Sequence, residues 1–447
     1  MTYADLANAL RSAMEKQDTV AIENTVTEFQ PADLAEFLRH ESTDVCLKVL
    51  AHLVLTERAE IFGYLPMSLQ FEIAEEMTIE GLAQLLSSME SDERADLFNM
   101  MSEERQTSVL KRMAKEERED LRRMASYAEG TVGAIMTSNY CSVPELSSVE
   151  QALERVRKTA PDAETIYQIY VLDMQHRLVG TLSLRELILT KPSAAISSIM
   201  TTELITLDPN EAQENAAKCI SRYDLLAVPV VDEQARLVGI VTYDDAMDIA
   251  EAEATEDILK SGSIGDLEGS FRDASGFTLY KKRIFWLLLL VFANIFTAAG
   301  IAIYEDTISK YAVLVFFMPL LIGSAGNAGS QASTLMVRGL GTGDVQMSDW
   351  FKLFSRELAI ALALGCTMAL AVSMIGAFRG GPDIALIVAL SMVAVVMMGS
   401  LLGLSLPFVL KKVGLDPATA SAPLVATIAD AAGILVYFAI ATAVLGL

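Results

Sequence analysis

One carboxylate lies where carboxylates are rarely found. Asp430 sits inside an apolar stretch, Ser421 to Leu447, that carries no other charge. Near the middle of a bilayer a carboxylate costs roughly 2.5–3.5 kcal/mol by insertion scales, and it persists only against water, a cation or a partner. No Lys or Arg in the stretch can neutralise it. About a hundred residues earlier, Asn327 and Gln331 are four apart and share a helix face, inside a run of small residues from Gly323 to Ser333. That run reads as close helix packing with the amides as interhelical glue, or as a helix whose amides and backbone line a hydrated path. Pro319 and Pro423 free backbone carbonyls, which at membrane depth must face protein or water. Asn327, Gln331, Gly326, Pro423 and Thr427 are the pore-lining candidates, with Asp430 as cation ligand. A third feature is an acidic run, Asp244, Asp245, Asp248, Glu251, Glu253, Glu256 and Asp257. Such a run is ordinarily a solvated face. Here it leads into Lys281–Arg283 and the first apolar segment, so its charge state can reach the membrane part.

The remaining chemistry-bearing residues narrow the choice. Cys46, Cys141, Cys219 and Cys366 are scattered, and His40, His52 and His176 form no cluster with them. This argues against a disulfide framework and a soft-metal site, and for a reducing compartment. Gly341-Thr-Gly-Asp344 fits the GxGD pattern of intramembrane aspartyl proteases, with Asp430 as second acid. Asp344 lies in a polar loop, however, and the four-residue signal is weak. An anion channel is opposed by the acidic membrane site, because anion paths use positive charge.

The elements that must hold these residues fall into two parts. Five segments are apolar enough to cross a ~30 Å core: 284–303, 311–337, 357–378, 384–410 and 421–445. Arg356 and Glu357, at a segment edge, can satisfy each other or the interface. Lys281, Lys282, Arg283, Arg338, Lys352, Arg356, Lys411 and Lys412 collect on one side, which by the positive-inside rule puts the N-terminal part in the cytosol and the C-terminus outside. No cleaved signal peptide is evident at the N-terminus. Of 58 acidic and 34 basic residues, 8 and 10 fall from Lys281 on, leaving 50 and 24 before it, a net −26 against +2. The front part repels nucleic acid and anionic lipid and attracts cations.

Residues 20–125 repeat short helical patterns (PADLAEFL, TERAEIFGYLP, IEGLAQLLSSM, DERADLFNMM) with Leu or Ile at i, i+3 and i+4. In 131–250, IMT at Ile135 recurs at Ile199, and IYVLDMQHRLVGTLSLREL matches VPVVDEQARLVGIVTYDDA at an offset of 59. Ser183 and Thr242 are expected N-caps, with Glu186 and Asp245 three residues on. This resembles a tandem pair of CBS (cystathionine-β-synthase-type) domains. The resemblance implies adenine-nucleotide binding, with Arg185 and Glu186 as candidates. Gln168 and Leu225 stand where an aromatic ring would stack on the base, and neither can stack.

The order of acidic helices, CBS pair, acidic connecting helix and five apolar segments, with the motifs YDLLAVPVVD, EATEDI, PLLIGSAGNAGSQ and PLVATIAD, resembles the MgtE magnesium transporter and channel family over essentially the whole chain. That resemblance implies a multidomain protein: an all-α N-terminal superhelix (1–130), α/β CBS copies (131–195 and 196–250), an acidic connecting (plug) helix and linker (251–280), and a polytopic α-helical membrane domain with five transmembrane helices (281–447). It implies a homodimer in the cell membrane with one central pore, not an enzyme. Asp430 maps to the pore acid, Ala426 to a backbone-carbonyl ligand one turn earlier, and Asp224, Asp245, Asp248, Glu253, Glu256, Asp257 and Asp416 to regulatory or loop acids. Glu57 and Glu80 are the N-domain guesses. Ser330 and Ala422 depart from the amide side chains of some members. The expected function is Mg2+ passage into the cytosol down its gradient, shut by cytosolic Mg2+. A coupled carrier, and passage of Co2+, Mn2+ or Ni2+, are the alternatives. Mg2+ sheds water reluctantly, so few direct oxygen ligands suit it.

Overall fold

Short amphipathic helices begin at the first turn of the chain, because the apolar spacing rarely holds for more than ten residues before a Pro, Ser or Thr restarts it. A computed structural model describes residues 3–16, 18–265 and 274–447. It divides into two compact units, residues 1–251 and 252–447. Part of the expected linker, 266–273, lies outside the described residues.

The first unit opens with ten helices: α1 (Tyr3–Glu15), α2 (Thr19–Val26), α3 (Pro31–Leu38), α4 (Thr43–Leu50), α5 (Leu55–Gly63), α6 (Met67–Glu76), α7 (Ile79–Ser88), α8 (Ser91–Met100), α9 (Glu103–Leu110) and α10 (Lys115–Met124). Their Leu, Ile and Phe faces bury into one continuous core. Successive helices are joined by a repeated device. A side chain near the start of one helix donates to a carbonyl eight residues back, at the end of the previous helix. Cys46 Sγ reaches Leu38, Arg58 Nε Leu50 at 2.8 Å, Gln106 Nε2 Phe98 at 2.8 Å and Arg118 Leu110. These donors satisfy C-terminal carbonyls that a helix leaves unpaired.

The two CBS copies follow. The first has β1 (Tyr140–Pro144), α11 (Val149–Thr159), β2 (Thr165–Leu172), β3 (Leu178–Ser183) and α12 (Leu184–Leu189). The second has α13 (Glu214–Tyr223), β4 (Ala227–Val231), β5 (Leu237–Thr242) and α14 (Tyr243–Ser261). β1 runs parallel to β2 and β2 antiparallel to β3, while β4 and β5 pair antiparallel. The sequence repeat is also a spatial one. Asp173 and Asp232 each accept from the backbone and guanidinium of the Arg four residues on, and the two arginines, Arg177 and Arg236, form an antiparallel bridge. The IMT lead-ins are exchanged: Thr137 pairs with Ile240 of the second copy, and Thr201 with Thr181 of the first. Ser183 and Glu186 form the expected capping box.

In the second unit four helices are long and apolar enough to cross a membrane: Gly276–Ile303, Val313–Thr342, Met347–Lys412 and Ala422–Leu445. They correspond to α15 (Gly276–Ile303), α17 (Val313–Thr342), α18 (Trp350–Lys412) and α19 (Ala422–Leu445), with a short α16 (Glu305–Lys310) after α15. The third is two limbs. At Gly381 the backbone takes φ 81° and ψ −174°, open to glycine alone, and Pro382 behind it disfavours the helical state. The limbs fold back on each other: a Cβ on Gly376 would lie 2.9 Å from Ala385 Cα, and one on Gly365 2.9 Å from Val393 Cα. Each limb is about 30 residues, or about 45 Å at 1.5 Å per residue, long enough by itself to cross a ~30 Å core. The helices outrun the expected apolar segments; Lys281–Arg283 lie within α15, because backbone hydrogen bonding continues where hydropathy stops.

The small-residue run explains how α17 is held. Gly329 lies against Gly399, and a Cβ on Gly399 would come 2.2 Å from the Ala325 carbonyl oxygen. At Gly403 it would come 1.9 Å from the Gly329 oxygen. Backbones that close require glycine on both helices.

Candidate ion path and acidic sensor

Asp430 stands on α19, one turn after Ala426, and both face Gly326 of α17. A Cβ on Gly326 would lie 3.3 Å from Ala426 Cβ and 3.7 Å from Asp430 Oδ1. The carboxylate is half-buried, and no hydrogen bond or ion pair engages it among the described residues. On α17, Ala325, Gly326, Ala328, Gly329, Ala332 and Ser333 are buried, whereas Asn327 and Gln331 are exposed. Packing uses the small residues and leaves both amides on the face that the protomer does not cover. They are therefore not glue between helices of one chain.

Several polar groups beside Asp430 are already spent. Thr427 Oγ1 donates to the Pro423 carbonyl at 2.8 Å. Pro423 lies in the first turn of α19, behind the N-cap Ser421, so it starts a helix rather than breaking one. Pro319 is inside α17 and withdraws a donor from the carbonyl four residues earlier. Ser330 and Ser333 donate to the carbonyls of Ala422 and Ala420, the latter at 2.7 Å. Glu357 is bound by the Ser400 hydroxyl rather than by Arg356. Asp344, the GxGD acid, follows the helix end at Gly343 and is exposed. It is about 18 residues along α17 from the level of Asp430, or about 27 Å, too far to share a catalytic water.

The acids of the first unit gather around the start of α8. Glu90, Asp92 and Glu93 interact electrostatically with Asp245 on α14, and Glu164 interacts with Glu90, Asp244 and Asp245. Burial, then like-charge repulsion, pushes Glu93 up to about 8; burial, opposed by a hydrogen bond from Thr137 and aided by Glu90, Asp245 and Asp244, takes Glu164 to about 8. Asp92 is raised well above the usual range for the same reasons, and Asp245 is raised although Thr242 donates to it. Asp248 is raised by burial, Glu251 and Asp244. Asp92 Oδ1 and Glu164 Oε2 are buried with no hydrogen-bond partner among the described residues. A nearby guanidinium, Arg94, is committed to Asp120 at 2.7 Å. No group of three or more Asp, Glu, His or Cys side chains among the described residues is close enough to hold a metal ion. The carboxylates crowd without closing on one point, and added positive charge would relieve them.

Other expected ligands are placed elsewhere. Glu80 pairs with Arg112 at 2.8 Å; Glu57 is exposed, and Glu60 is the α5 acid that acts on Glu90. Asp224 is the left-handed C-cap of α13, φ 52°. It lies on a groove of about 390 Å³ with Leu226, Tyr243 and Met247. Glu256 and Asp416 both engage Lys260. Arg185 is exposed, and the Glu186 carboxylate accepts from Ser183, so it is already committed. Glu90, Asp92, Glu93 and Glu164 were missed in the sequence because they lie among many acids of equal appearance.

Comparison with known proteins decides the family. The MgtE divalent cation transporter model matches residues 318–440, the MgtE intracellular N domain matches 29–130, and CBS domains match 132–191 and 196–251. A magnesium transporter MgtE of Thermus thermophilus is 36% identical over 98% of both chains. The chain belongs to the MgtE family of magnesium transporters. Its Bacillus subtilis relative is 30% identical over 99% of this chain and 98% of that one. The soluble part of a magnesium transporter superposes with TM-score 0.53 at 28% identity, covering 57% of this chain and all of that one. The cytosolic domain of the Mg2+ channel MgtE in complex with ATP gives TM-score 0.52 at 33% identity, covering 54% and 99%. As an MgtE member the chain is a multi-pass membrane protein and not an enzyme.

Proposed function

We propose that this chain conducts Mg2+ into the cytosol down its electrochemical gradient, through a path on which Asp430 is the direct acidic element. One observation carries the reading: a carboxylate at membrane depth, unengaged, opposite Gly326, with Asn327 and Gln331 on the adjoining uncovered face. Two protomers about a two-fold axis would bring two copies of Asp430 together, setting a formal −2 against a +2 ion. Amides and the Ala426 carbonyl suit a hydrated ion that keeps most of its water. The exposed apolar side chains Leu226, Tyr243 and Met247 beside the groove on the second CBS copy support a second chain as partner. An odd number of passages with the basic residues on one side supports, by the positive-inside rule, N-terminal domains in the cytosol and a C-terminus outside.

The acidic sensor supports closure by cytosolic Mg2+. Asp92, Glu93, Glu164 and Asp245 are buried and crowded so that ionising them is costly; a divalent cation offsets that cost for the ionised forms, so the ion favours the packed arrangement. The ligand shifts the population only by that preference. Asp248, Glu253, Glu256 and Asp257 extend the same logic along the connecting helix, and Asp416 does so from the turn before α19. A nucleotide at the CBS pair would depend on Arg185 and phosphate contacts, since no aromatic ring stands at 168 or 225. The test is Mg2+ flux in proteoliposomes under an Mg2+ gradient alone, with internal Mg2+ titrated. Flux that falls as internal Mg2+ rises supports the reading. Flux that needs a Na+ or H+ gradient contradicts the channel and favours a coupled carrier.

A further inference from the structure

The end of the connecting helix carries a cation of its own. Lys260, on the last turn of α14, places its ammonium between two carboxylates, Glu256 on the preceding turn and Asp416 Oδ2 at 2.7 Å. Asp416 is spent at the same time as the cap of the turn Pro417–Thr419, accepting from Ala418 N at 2.8 Å. Just beyond α14, Ser263 Oγ meets Ser421 Oγ at 2.6 Å, and both residues are buried. Ser421 is the N-cap of α19, the helix that bears Asp430. Two contacts, one ionic and one hydroxyl, therefore tie the end of the connecting helix to the start of the pore helix. Burial pulls the Lys260 pKa down, but the hydrogen bonds and charges of Asp416 and Glu256 outweigh it and the net shift is upward.

We infer that Lys260 is a built-in competitor for the divalent cation: its ammonium holds the Glu256–Asp416 pair together at low Mg2+, and a divalent ion that bridges the pair must first expel it. This rests on the proposal that Glu256 and Asp416 take part in Mg2+ closure, and it adds that Lys260 sets the threshold. Removing the ammonium leaves two bare carboxylates. They repel without a divalent ion and bind one more readily with it. The switch becomes looser at zero Mg2+ and more sensitive.

The full-length chain in proteoliposomes tests this. Lys260→Met is expected to raise flux at zero internal Mg2+ and to lower the half-closing Mg2+ concentration by about threefold or more, the scale of a partly exposed ion pair. Lys260→Arg restores both. In an Asp416→Asn background Lys260→Met adds nothing. A Lys260→Met half-closing concentration equal to that of the wild type, or an equal shift with and without Asp416, overturns the inference. A second readout does not need closure: amine labelling of Lys260 followed by mass spectrometry. Labelling is expected to rise with Mg2+ as the ammonium leaves, and to be high without Mg2+ in Asp416→Asn. Labelling that ignores both overturns the inference. A wild type that never closes, with labelling that responds as expected, overturns the gating proposal instead.

Discussion

Binding of Mg2+ to the acids around α8 should release protons, and the structure sets the scale. Glu93 and Glu164 are each pushed up to about 8, chiefly by burial. With those values they hold together about 1.8 protons at pH 7 and about one at pH 8. A cation that binds the ionised forms must displace them. Apparent affinity then tightens about thirtyfold from pH 7 to pH 8, and still about threefold if both values lie a unit lower. Without the ion the sign runs the other way. A carboxyl whose folded pKa is raised binds more protons folded than unfolded, so its packing is most stable at low pH. That stability is lost as pH rises from the ordinary carboxylate range through about 8. Half-protection of residues 90–100 from hydrogen exchange, in the full-length chain with Mg2+ titrated at pH 7 and 8, measures the shift. Glu93→Gln with Glu164→Gln should flatten the pH dependence. A wild-type midpoint that moves by less than about twofold would refute the crowded-carboxylate argument.

Two packing predictions follow from distances. Gly403→Ala sets a methyl 1.9 Å from the Gly329 carbonyl oxygen. It should cost about 3 kcal/mol or more and lower the melting temperature in detergent, whereas Gly323→Ala, with nothing within 4 Å, should be tolerated; equal melting of the two would contradict the helix crossing. Arg58→Met strips donors from the carbonyls of Leu50 and Leu53. The expected loss is about 2 kcal/mol, seen as exchange at the end of α4 faster than elsewhere in the first unit.

Periodicity made the apolar helices and the repeated CBS copies legible, because each rests on local spacing. The two limbs of α18 correspond to the separate apolar segments 357–378 and 384–410, whereas the backbone angle at Gly381 that divides them is visible only in the structure. What local spacing does not carry is partnership across the chain. Glu357 read as satisfied by neighbouring Arg356 or by the interface, and it is bound by Ser400, 43 residues on. Lys260 is the one base near the end of the acidic connecting helix, and its pairing with Asp416, 156 residues later, appears only in the fold. The acids around α8 are distinguished by burial alone, which composition cannot rank. Asp430 stood out because apolar surroundings make one charge conspicuous. Its neighbours Gly326 and Ala426 follow from a helix crossing that the small residues announced in kind but not in register.

The role of Asp430 in the ion path is tested most directly by single-channel or flux measurement on Asp430→Asn and Asp430→Glu beside the wild type, at zero and high internal Mg2+. Asp430→Asn is expected to abolish or severely reduce Mg2+ passage while closure-linked protection of the first unit by Mg2+ is kept, and Asp430→Glu to retain part of the passage. Mg2+ flux through Asp430→Asn at the wild-type rate would contradict that role.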